Sequence, residues 1–84
     1  MKHITYTTQG TCSRLIDIQL SDNNTIDNVS FVGGCNGNLK GICSLVKGQN
    51  ANDVIARLKG ILCGGKNTSC PDQLAKALEE AMNQ

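Results

Sequence analysis

Gly33-Gly34-Cys35-Asn36-Gly37-Asn38 divides the chain into two halves with different hydrophobic periods. Before it, Arg14 to Leu20 alternates, with Ile16, Ile18 and Leu20 on one side and Leu15, Asp17 and Gln19 on the other. That period of two is a strand with one buried face. Ser21-Asp22-Asn23-Asn24-Thr25 is dense in residues that tolerate turn geometry, and Ile26 to Val32 resumes the alternation, with Val29 and Phe31 against Asn28 and Ser30. These two segments predict a hairpin. Farther back, the β-branched run Ile4-Thr5-Tyr6-Thr7-Thr8 predicts a further strand, closed by the turn Gln9-Gly10-Thr11-Cys12.

After the glycine segment the period changes to that of a helix. Leu39, Ile42, Cys43 and Val46 predict a helix from about Asn38 to Lys47, stopped by Gly48. Asn50 can cap a second helix with Asp53 three residues on, and Val54, Ile55, Leu58 and Leu62 supply its buried stripe until Gly60, Gly64 and Gly65 break it. A third begins at about Cys70. Ser69 and Asp72 have the spacing of a capping box, Pro71 suits a first turn, and Leu74, Leu78 and Met82 share a face with Lys76, Glu79 and Glu80 outside. Strands followed by helices define an α+β domain over residues 1–84, a small three-stranded antiparallel sheet with three helices on one face.

The composition narrows the function. The 84 residues include only Tyr6 and Phe31 as aromatics, so the core must be built from Leu, Ile, Val and Ala, and a domain this small gains from a metal or a disulfide. A net charge of +1 with scattered Lys and Arg argues against a dominant nucleic-acid surface. Met1-Lys2-His3-Ile4-Thr5 has no apolar run behind it and no segment is long enough to cross a membrane, so the expected location is cytoplasmic. Gly60 to Asn67 falls one hydroxyl short of a phosphate-binding loop and follows a helix rather than a strand. Neither a Ser/His/Asp set nor paired carboxylates are visible, and no activity of the chain alone is expected. His3 near the N-terminus is read as solvated, as are Arg14, Arg57, Lys59 and Lys66.

Five cysteines, an odd number in a short chain without an export signal, point to metal or redox chemistry rather than a disulfide framework. Cys12, Cys35, Cys63 and Cys70 all fall in loops or at element ends, where sulfurs can converge, and four thiolates suit zinc or iron. Their spacing lacks a C-x-x-C pair, which leaves the alternative that they are small buried hydrophobes. Cys70 opens a helix, a place that favours a thiolate. Cys43 lies on an apolar stripe and is read as core.

Thr68-Ser69-Cys70-Pro71-Asp72-Gln73-Leu74-Ala75, with Gly33 to Ile42 and Leu58 to Gly64, resembles the TSCPD domain over essentially the whole chain. That family occurs as small stand-alone proteins and as a C-terminal module on adenosylcobalamin-dependent ribonucleotide reductases. The resemblance implies a metal, Zn²⁺ or alternatively iron, on Cys12, Cys35, Cys63 and Cys70, with Cys43 not required. It also implies a partner in ribonucleotide reductase or another enzyme of deoxynucleotide synthesis. A second resemblance is to the U-type iron–sulfur cluster scaffolds, whose strand and helix order is similar and whose cysteines fall at the places of Cys12, Cys35 and Cys70. Here Ser69 stands where the scaffold has a histidine and Arg14 where it has an aspartate, while Cys63 is additional. Those departures favour a tighter, less transferable site. Two further roles are consistent with the pattern: a Cys63–Cys70 pair cycling between dithiol and disulfide, and a cluster carrier.

Overall fold

A computed structural model describes residues 2–8, 13–33, 36–62 and 68–83. In order along the chain these form β1 (Lys2–Thr7), β2 (Ser13–Leu20), β3 (Ile26–Gly33), α1 (Asn36–Val46), α2 (Ala51–Leu58) and α3 (Cys70–Met82). The strands make one antiparallel sheet in the order β1-β2-β3. This is the α+β arrangement that the change of period at Gly33 predicts.

Alternation puts Ile4 of β1 and Ile16, Ile18 and Leu20 of β2 on the inner face, all buried. In β3 the pairing shifts: Gln19 lies opposite Asn28, but Leu20 lies opposite Ile26, which leaves Asp27 as an extra residue. Strict alternation would turn Ile26 outward when Val29 points in. The bulge at Asp27 brings both to the core, Ile26 with no exposure at all. A similar irregularity at the other end makes Arg14 the extra residue between the pairs Ser13–Gly33 and Leu15–Val32.

The third helix covers β1 and β2, α1 lies against β3, and α2 packs beside α3. On α3 the fully buried Leu74 and Leu78 are joined in the core by Ala77 and Ala81, whose short side chains suit close packing on the isoleucines. Burying each Leu or Ile here contributes on the order of 1.5–3 kcal/mol, which compensates for the scarcity of aromatics. Cys43, Ile42, Ile55, Leu58 and Met82 pack against this cluster from its margin.

Backbone hydrogen bonds join the α1–α2 turn to the head of β3. Gly48 N–H donates to Ile26 O at 2.8 Å, Ile26 N–H to Gln49 O at 2.9 Å, and Ala51 N–H to Asn24 O at 2.8 Å. Gly48 has φ +85°, a conformation that glycine adopts without a Cβ clash. The second helix is shorter than its sequence pattern suggests. It ends at Leu58, and Gly60 at φ +88° turns the chain away, so Leu62 is 57% exposed rather than part of the buried stripe. The first begins two residues earlier than its apolar spacing indicates, at Asn36.

Candidate functional site

The start of α3 is built from side chains that satisfy one another. Ser69 is the N-cap, its Oγ accepting from Asp72 N–H at 3.1 Å and donating to Ile61 O at 2.6 Å. Asp72 does not reach back to the cap residue as the reciprocal half of a capping box would. Its Oδ1 instead accepts from Gly60 N–H at 2.7 Å and its Oδ2 from the Thr68 hydroxyl, with Lys76 Nζ 3.3 Å away. Gln73 Nε2 donates to Thr68 Oγ1 at 2.9 Å. Thr68, Ser69, Asp72 and Gln73 are all buried. Two separate stretches of chain, Gly60–Ile61 and Thr68–Ser69, are therefore tied to one helix end. Residues 62–67 separate them in sequence.

Asp72 is charged in this setting. The hydrogen bond from the Thr68 hydroxyl is the main cause of a carboxyl pKa below its ordinary value of 3.8, and the Gly60 amide and Lys76 ammonium act in the same direction. Burial opposes them and is outweighed. Among the described residues, no buried side-chain nitrogen or oxygen lacks a hydrogen-bond partner, so the carboxylate is committed to the clamp rather than left over as a ligand.

Cys70 stands inside this network as the first residue of α3 and is half-buried. Lys2 Nζ donates to Met82 O at 3.1 Å, which fixes the C-terminal end of α3 beside the beginning of β1. From Met82 back to Cys70 the helix rises about 18 Å, close to the roughly 17 Å that β1 covers from Lys2 to Thr7. The N-terminal end of α3 consequently lies toward the end of the sheet where β1 finishes, β2 begins and β3 finishes. At that end Ser13 and Gly33 are Cα partners. Ser13 follows Cys12 directly, and Gly33 precedes Cys35 by two positions.

Of the four sequence-predicted ligands only Cys70 is among the described residues; Cys12, Cys35 and Cys63 lie outside them, as does Lys66. Within the described residues no group of three or more His, Cys, Asp or Glu comes together. Cys43 occupies the position read for it, on α1 in a shallow groove of about 230 Å³ with Val29, Phe31 and Leu39. Burial there raises its thiol pKa above the ordinary 9.0, which disfavours the thiolate that ligation requires. His3 is exposed, as its reading as solvated expects. It sits on β1 and its ring pairs across the sheet with Asp17, on the face away from the helices. Lys59 is exposed as well and pairs with Glu79 at 3.0 Å. The residues that sequence reading missed were Thr68 and Gln73, whose polar side chains in a loop-to-helix junction give no hint that they are buried. Asp72 was read only as a cap.

These features describe a small α+β domain in which side chains fasten two separate stretches of chain to a cysteine-bearing helix start. The chain belongs to the TSCPD domain family, which matches residues 1–82. The run that the family is named for is Thr68-Ser69-Cys70-Pro71-Asp72 in this sequence. Comparisons with curated proteins and with solved structures returned no match. No helix among the described residues is long and apolar enough to cross a membrane.

Proposed function

We propose that this protein is a small metal-binding accessory domain in which Cys12, Cys35, Cys63 and Cys70 hold one Zn²⁺. The observation that carries the reading is the place of Cys70, half-buried at a helix start that its sequence neighbours fasten. Thr68, Ser69 and Asp72 form the clamp and Pro71 fills the first turn, where its missing N–H costs nothing. Cys70 sits among them as the first residue of α3. A half-buried cysteine at a fastened helix start, with the loop of Cys63 anchored on both sides, fits a thiolate donor held in place before metal arrives. The pairing of Ser13 with Gly33 supports the same reading, because it joins the strand ends from which Cys12 and Cys35 depart.

Four protein donors would leave no open coordination position, so the ion would cross-link the loops rather than act on a substrate. The domain accordingly has no catalytic activity of its own in this reading. Its partner, proposed from what the family implies, is a ribonucleotide reductase or another cytoplasmic enzyme of deoxynucleotide synthesis. The described residues supply the fixed end of the site: Ser69 sets the direction of α3, and Asp72 holds the chain on both sides of the loop.

Metal analysis of protein purified without added metal is the direct test. About one zinc per chain, lost in Cys70→Ser together with most of the thermal stability, is expected, since binding free energy of a structural ion is folding free energy. Metal-free protein that melts identically in wild type and Cys70→Ser overturns the proposal. Brown anaerobic protein would assign an iron–sulfur cluster instead, and a Cys63–Cys70 disulfide formed on mild oxidation of metal-free protein would assign a redox pair.

A further inference from the structure

Between α1 and α2 lies an apolar groove of about 440 Å³, lined by Ile42, Leu45, Val46, Val54 and Leu58. Leu45 stands at its margin 78% exposed, the most exposed large apolar side chain among the described residues. A solvated leucine beside an open apolar groove is a knob and a hole on one surface. The rim adds charge: Asp53 and Arg57, both on α2 and both exposed, line the same groove. They are four residues apart, yet the ion pairs among the described residues do not include this one.

An acid and a base one helical turn apart on one face have a particular symmetry. When two copies of such a helix cross antiparallel about a two-fold axis, each acid faces the other copy's base, and the pairing is made twice. We propose that the occupant of this groove is a second copy of the same chain, giving an isologous dimer. In it, Leu45 of each copy enters the groove of the other, and Asp53 of each copy pairs with Arg57 of its mate. A different partner would need an opposite-sign pattern of its own, whereas this surface already carries both halves. The groove is lined by residues of α1, α2 and the turn between them and by none of α3, which carries Cys70, so the inference is independent of metal binding.

The test is the mass of the full chain in solution, by sedimentation velocity with a phosphine reductant present, from about 1 µM to about 1 mM, the span from tight to weak dimers. A dimer is expected. Leu45→Glu and Asp53→Arg should each raise its dissociation constant by roughly tenfold or more, with the circular dichroism melt retained because both positions are solvent-exposed. The double reversal Asp53→Arg with Arg57→Asp restores opposite charges across the two-fold axis and should recover most of the lost affinity. A chain that stays monomeric throughout overturns the inference and leaves the groove to a different partner. So does a dimer indifferent to Leu45→Glu, or a double reversal no tighter than Asp53→Arg alone.

Discussion

The two ends of the sheet are fastened by different chemistry. At the end where β2 turns into β3, the contacts are between backbones: Gly48, Gln49 and Ala51 meet Asn24 and Ile26 through main-chain amides and carbonyls. At the end where α3 begins, side chains make the junction, with Ser69 reaching Ile61 and Asp72 reaching both Gly60 and Thr68. Backbone hydrogen bonds tolerate many residue types. A carboxylate that must accept from an amide and a hydroxyl together does not. The family signature falls at the side-chain end, where Thr68, Ser69 and Asp72 each make contacts that hold the fold together.

Removing Asp72 should break that contrast most severely. Asp72→Ala leaves the Gly60 amide and the Thr68 hydroxyl without their acceptor in a buried place, an expected loss of about 2–4 kcal/mol, read by urea denaturation. A loss below that of an ordinary surface substitution would mean the clamp is incidental. The same carboxylate sets an acid limit. Its folded pKa lies below 3.8, so its stabilisation is complete above the unfolded value and is lost as pH falls through the folded one. Wild-type stability should accordingly drop as pH falls below the ordinary carboxylate value of 3.8, and Asp72→Asn should lower stability near neutrality while flattening that drop.

Smaller effects sharpen the comparison. Ser69→Ala removes an N-cap and the bond to Ile61, for about 1–2 kcal/mol, whereas Asn50→Ala removes only the exposed cap on Asn52 N–H and should cost about 0.5–1 kcal/mol. Equal losses would show that burial adds nothing to the first cap. Smallest in consequence for the site, Cys43→Ala should trim a half-buried side chain at the core margin, on the order of 1 kcal/mol, and leave metal content as in the wild type.

Much of this was legible in the chain. The period of two in Ile16, Ile18 and Leu20, the helical spacing of Leu39, Ile42, Cys43 and Val46, and the cap at Ser69 each depend on neighbours within a few residues, which sequence displays directly. Other features escaped it for a physical reason. The bulge at Asp27 is a matter of register with β2, the early end of α2 depends on the turn that Gly60 makes, and the cross-strand partner of His3 is Asp17, fourteen residues away. Thr68 and Gln73 belong to the same group: a threonine before a cap and a glutamine in a first turn are ordinary surface residues until a second stretch of chain covers them.

Local order, then, was set by the residues themselves: where strands give way to helices, where α3 starts, and that Cys43 packs against the core. What needed the folded molecule was the second role of Asp72. A carboxylate hydrogen-bonds whichever donors the fold delivers, and the amide of Gly60 reaches it only because α2 ends where it does and lies beside α3. Spacing along a chain states which partners are near in sequence; packing decides which are near in space.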